Sequence, residues 1–117
     1  MIYMVDIDDT ICRSPRGSDG KIDYTKAEPI KERIAYINNI YDKGHEVHYW
    51  TSRGMITGLD WKVLTYEQLT KWGCRYSSLK MKKPMYDIWI DDKSINADTF
   101  FDKVLGEKHE ESVGETA

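Results

Sequence analysis

The sequence predicts an α/β fold, a three-layer arrangement in which helices cover a mostly parallel sheet. Strand-like apolar runs at residues 2–7, 46–52 and 86–92 alternate with stretches of helical periodicity, the pattern of parallel strands joined by helical crossovers. Two of these runs stop in aspartates, "DIDD" at 6–9 and "IDD" at 90–92. Ligands of such sheets sit beyond the carboxyl ends of the strands, so the acidic stops are the first place to look for chemistry.

Taken in order, "IYMVDI" (2–7) is a short run of strand formers expected to be buried on both faces and to end near Asp6 to Asp8. "RSPRGSDGKIDY" (13–24) is dense in Gly, Ser, Pro and charge and reads as a loop or small flap. From Glu28 the pattern turns helical, with Pro29 in the first turn, Ile30, Ile34, Ile37 and Tyr41 on one face, and Gly44 as the stop. "EVHYWTS" (46–52) alternates Val47, Tyr49 and Thr51 against His48 and Trp50, as a strand does. Thr65 to Gln68 match a capping box, flanked by Leu64 and Leu69 as a hydrophobic staple, and Gly73 ends that helix. "YDIWIDDKS" (86–94) is a further strand-to-loop stop. Ser94 is placed to cap a last helix carrying Ala97, Phe100, Phe101 and Val104, ended by Gly106.

The 117 residues suit one domain, expected at 1–105, with 106–117 a frayed tail poor in apolar residues. Seventeen basic against twenty acidic residues, formal charge −3, do not supply the basic surface of a general nucleic-acid binder, although a local basic path through Arg13, Arg16, Lys21 and Lys26 stays open. The chain starts directly on a strand-like segment, without a basic-then-apolar leader or a run of membrane-spanning length, so a cytoplasmic location and no membrane partner are expected. Cys12 and Cys74 form no metal-site or disulfide pattern and are read as reduced thiols.

Asp6, Asp8, Asp91 and Asp92 would form a dense negative cluster, costly unless compensated, and a hard divalent cation is the simplest compensation. Mg2+ takes a few oxygen ligands and commonly bridges carboxylates to a phosphate. Thr51 could then donate its hydroxyl to a phosphoryl oxygen, backbone N–H groups around Ser52 and Arg53 could do likewise, and one of Lys80, Lys82 and Lys83 could neutralise the charge. Each feature alone has a plainer reading: a turn or cap for the aspartates, a cap for Thr51 and Ser52, a solvated face for the lysines. An EF-hand loop is excluded, because position 11 is Ile where that loop needs Gly and position 17 is Gly where it needs Glu.

The order of these parts, "DIDDT" (6–10), "TSRG" (51–54), Lys83 in "KKPMYD" and "IDD" (90–92), resembles the haloacid dehalogenase superfamily of phosphohydrolases over residues 2 to about 104. The resemblance implies a Rossmann-like core in which Asp6 attacks phosphorus, Asp8 serves as acid and then base, and Thr51 and Lys83 hold phosphoryl oxygens. It implies magnesium held by Asp6, the Asp8 carbonyl and Asp91, with Asp92 assisting. Asp9 and Lys82 stand where relatives often have Gly, and Thr10 is expected to hold the turn. Short insertion points imply a minimal or absent cap, with substrate choice set by the flap, by "RGMITGLDW" or by a neighbouring subunit of a homo-oligomer.

Residues 51–84 also look like small stand-alone phosphatases found among bacterial surface-polysaccharide genes, which points toward a sugar phosphate or related small phosphomonoester. Trp61 is read as a core aromatic, with stacking on a sugar or base as the alternative. Two other readings stay open. One is a nucleotidase or a phosphatase of nucleic-acid 3′ ends. The other is a phospho-accepting receiver domain, against which the order of Lys83 before the second acidic pair counts.

Overall fold

The structure is a computed structural model and describes residues 1–107. Of the predicted tail, residues 108–117 lie outside the described residues. The chain groups into two compact units, Met1–Met85 and a second beginning at Tyr86.

The first unit runs, in chain order, β1 (Ile2–Val5), β2 (Cys12–Arg13), a 3-10 turn (Tyr24–Lys26), β3 (Glu28–Pro29), α1 (Lys31–Asp42), β4 (Glu46–Trp50), α2 (Lys62–Lys71) and β5 (Ser78–Lys80). It is an α/β unit. Strands β1, β4 and β5 form a parallel sheet in that order, with Ile2 opposite Glu46, Val5 opposite Tyr49 and Trp50 opposite Lys80. β4 alternates as expected, Val47 and Tyr49 being buried while His48 and Trp50 are partly exposed. The same register places Val5 on the buried face, and Ile2 and Met4 on the other. Both are more than half exposed, so β1 is buried on one face only, against the two-face expectation.

Helix α1 begins at Lys31, three residues later than predicted, because Glu28 and Pro29 pair antiparallel with Cys12 and Arg13. Ile34, Ile37 and Ile40 are its buried apolar residues, with Ile40 taking the place expected for Tyr41. Gly44, at φ 95°, ends it. Asn38 ties α1 to the chain after α2, donating to the Gly73 carbonyl at 2.9 Å and accepting from the Arg75 N–H at 2.8 Å.

The predicted capping box is not one. Helix α2 already starts at Lys62, whose N–H goes to the Asp60 carboxylate at 2.9 Å, so Thr65 and Gln68 lie inside the helix. Thr65 donates its hydroxyl back to the Trp61 carbonyl at 2.7 Å. Strand β5 follows without having been foreseen.

The second unit contains one helix, α3 (Ala97–Leu105), among its described residues. Asn96 caps it, accepting from the Thr99 N–H at 3.2 Å, and displaces the predicted Ser94; Gly106, at φ 69°, closes it. Phe101 is buried. Residues 88–90 were expected as a strand and are not one, with Ile88 78% and Ile90 93% exposed. The segment folds locally instead: Tyr86 meets Trp89 edge-on at 5.0 Å, and Asp91 accepts from the Lys93 N–H at 2.9 Å, a turn made by a short acceptor side chain. Among the described residues no helix is long and apolar enough to cross a membrane.

Candidate functional site

The turn that follows β1 is built on the Ile7 carbonyl, which accepts from the N–H groups of Thr10 and Ile11 at 3.1 and 2.9 Å. Asp9 closes it by donating its N–H to the Cys12 carbonyl at 2.8 Å. To do so Asp9 takes φ 61°, a left-handed conformation that short polar residues tolerate better than most. From α1 the buried Arg33 reaches the Thr10 carbonyl at 3.2 Å. Thr10 thus contributes its main chain to the turn. Asp6 and Asp8 leave this frame half-buried, on either side of the fully buried Ile7.

Thr51 follows β4 and is 1% exposed. Its N–H donates to the Lys80 carbonyl at 3.0 Å, and its carbonyl accepts from the Lys83 N–H at 2.9 Å. Between those two bonds Met81 and Lys82 loop out, with Lys82 left-handed at φ 63°. This excursion settles which lysine faces Asp6. Lys80 and Lys82 are exposed, whereas the Lys83 side chain is 14% exposed and its Nζ lies 3.7 Å from Asp6 Oδ1. The two positions at which relatives of the resembled family often carry Gly are, among the described residues, the only non-glycine ones in the left-handed region.

Burial pushes the Asp6 carboxyl above its ordinary range; Lys83 opposes this most strongly, the Ile7 N–H helps, and Asp8 and Asp9 add repulsion. The Cys12 thiol, desolvated and beside Asp8, is pushed up to about 12 and stays neutral at neutral pH.

Arg53 was expected to offer only its backbone to a phosphate; the structure gives its side chain a different part. The residue is 3% exposed, and its guanidinium grips Asp8 with both arms, Nε to Oδ2 at 3.0 Å and one terminal nitrogen to Oδ1 at 2.9 Å. The other terminal nitrogen donates to Thr65 Oγ1 at 3.1 Å and Gln68 Oε1 at 2.6 Å. The group lies 4.7 Å over the ring of Tyr24, whose carbonyl accepts from Gln68 Nε2 at 2.7 Å. The Arg53 N–H, expected among the phosphate donors, goes to Thr51 Oγ1 at 3.2 Å. Ser52 gives its carbonyl to the Met55 N–H at 3.0 Å. Trp61, 5.4 Å edge-on to Tyr24, packs behind the flap residue. The one signal available in the sequence was Thr65 and Gln68, two polar residues on the inward face of α2 beside Leu69.

The first unit therefore gathers Asp6, Asp8, Thr51, Arg53 and Lys83 at the carboxyl ends of β1, β4 and β5. Asp91 and Asp92 belong to the second unit, where both are exposed. Asp91 is held below the usual carboxylate range by the Lys93 N–H, then by Asp92 and Trp89, while its neighbour raises Asp92. Within each unit, among the described residues, no three His, Cys, Asp or Glu side chains group to hold a metal ion.

No family model matches the chain, and no curated protein matches it. It is similar to the crystal structure of a structural-genomics (MCSG) target from Vibrio cholerae, at 20% identity and TM-score 0.71 over 97% of this chain and 94% of that one. At that identity the likeness speaks for the fold alone.

Proposed function

We propose that the chain is a magnesium-dependent phosphomonoesterase of the haloacid dehalogenase type, with little or no cap, acting on a small phosphorylated metabolite such as a sugar phosphate. One observation carries the reading: Asp6, a carboxylate raised by burial, faces the Lys83 ammonium at 3.7 Å, and the backbone of Lys83 is bonded to Thr51. A nucleophile, a cation and a hydroxyl for phosphoryl oxygens then stand together at the carboxyl ends of neighbouring strands.

On this reading an Asp6 carboxylate oxygen attacks phosphorus while the bond to the leaving oxygen breaks, and the Asp8 carboxyl gives that oxygen its proton. In the second half water attacks phosphorus and loses a proton to the Asp8 carboxylate. The bond from phosphorus to Asp6 breaks, and inorganic phosphate leaves. Thr51 Oγ1 accepts from the Arg53 N–H and keeps its own O–H to direct at a phosphoryl oxygen. Lys83 balances the phosphoryl charge.

The donor set suits magnesium, being hard oxygen with a desolvated carboxylate that a single ammonium compensates in part. The family resemblance would assign the ion to Asp6 and the Asp8 carbonyl, and gives Asp91 and Asp92 as its further ligands. When bound it supplies positive charge beside the phosphoryl oxygens.

The test is turnover of 4-nitrophenyl phosphate by the purified protein with magnesium. Asp6→Asn is expected to abolish it and EDTA to suppress it until magnesium is restored; undiminished turnover by the Asn variant rejects the reading. Sugar phosphates, mononucleotides and 3′-phosphorylated oligonucleotides, assayed side by side, identify the substrate class.

A further inference from the structure

We propose that the side chain of Arg53 is a positioning residue, which fixes the carboxyl of Asp8 for proton transfer and ties that orientation to the flap at Tyr24. This role rests on the phosphatase reading and adds to it a residue that never touches substrate.

The geometry leaves the guanidinium little other work. Both arms facing the turn are spent on the two Asp8 oxygens, and the remaining nitrogen is spent on Thr65 and Gln68. A planar fork matches a carboxylate in a single relative orientation, which an ammonium cannot impose. A buried arginine is tolerated only where its charge and donors are matched. Here the match is supplied by three separate segments: the turn after β1, helix α2 and the flap.

Tyr24 closes the arrangement. Its ring faces the guanidinium, and its carbonyl accepts from Gln68, the residue that also holds Arg53. A flap displaced by substrate would reach Asp8 through these contacts. The proton that Asp8 delivers to the leaving oxygen is thus aimed by residues on α2.

The experiment compares two substrates, since protonation by Asp8 matters for a poor leaving group and little for an acidic phenol. Wild type, Arg53→Lys and Arg53→Met are assayed with an alkyl phosphate and with 4-nitrophenyl phosphate. The expected result is a fall in kcat/KM, which reports the step that releases the leaving group, roughly 10-fold larger for the alkyl ester. Arg53→Lys, which keeps the charge without the fork, should recover only part of the loss. Equal losses on both substrates, as a merely structural role would give, overturn the proposal. So does an equal rise in KM on both substrates at constant kcat, which would make Arg53 a phosphate ligand.

If the Arg53 variants do not fold, Gln68→Leu, lacking one anchor, is expected to show the same leaving-group bias at reduced size, and its absence overturns the proposal equally. Wild type lacking any Asp6-dependent turnover removes the phosphatase reading and this role of Arg53 together. With wild type turning over normally, the leaving-group comparison bears on Arg53 alone.

Discussion

Two acidic stretches of similar sequence, Asp6 to Asp9 and Asp91 with Asp92, end in contrasting surroundings. The first follows a strand bonded into a sheet, flanks the buried Ile7, and has Lys83 near one carboxylate and Arg53 on the next. The second follows an exposed segment, and Asp91 bonds within a few residues of itself, to Lys93 and Trp89. An apolar run that stops in aspartates therefore does not by itself specify a buried site. What distinguishes the first is partners from distant sequence, Arg53 beyond β4 and Lys83 beyond β5.

The contrast predicts how substitutions divide. The largest effect is expected at Gly54, which holds the loop beyond Thr51 at φ 86° and where a Cβ would run into the Leu59 carbonyl and crowd Trp61. Gly54→Ala should destabilise the protein by about 3 kcal/mol, measured by urea unfolding, from backbone strain and overpacking together. A loss below about 1 kcal/mol would mean that this loop is not held as tightly as the geometry implies.

A smaller effect of opposite sign is expected at Asp6. Its carboxyl is raised in the folded protein, chiefly by burial, so the stability tied to it is complete below the unfolded-state value and is lost as pH rises through the folded one. At neutral pH the ionised group is a net cost. Asp6→Asn should accordingly raise Tm at pH 7, with the gain vanishing in acid where wild-type Asp6 is itself protonated. A lowered Tm at pH 7 would show the Lys83 pair outweighing desolvation.

The smallest effect is expected at the exposed stretch. Asp91→Asn should change stability by no more than about 0.5 kcal/mol, yet on the phosphatase reading it raises the magnesium needed for half-maximal turnover by roughly 10-fold. Unchanged magnesium dependence would remove Asp91 from the proposed donor set.

The parts legible in the sequence were those governed by neighbours along the chain. The end of β1 near Asp6, the alternation in β4 and the glycine stops at 44, 73 and 106 follow from local pattern and backbone preference. The start of α2 was misplaced because Thr65 and Gln68 satisfy a local capping rule while serving Arg53, 12 and 15 residues away. Residues 86–90 fit a strand by composition, but a strand needs a bonded neighbour, which one segment cannot reveal. The side-chain role of Arg53 was hidden for the same reason, since "TSRG" discloses a Thr, a Ser and a turn, and the Asp8 it grips lies 45 residues earlier.

The excursion at Met81 and Lys82 has a consequence for how this chain tolerates change. Because Thr51 takes hold of the backbone both before and after it, the excursion works as a spacer whose length, more than its side chains, selects the ammonium delivered to Asp6. Removing one residue there would offset the following chain by a step and send Lys83 elsewhere, with every charged group still present. In this stretch, counting matters more than composition.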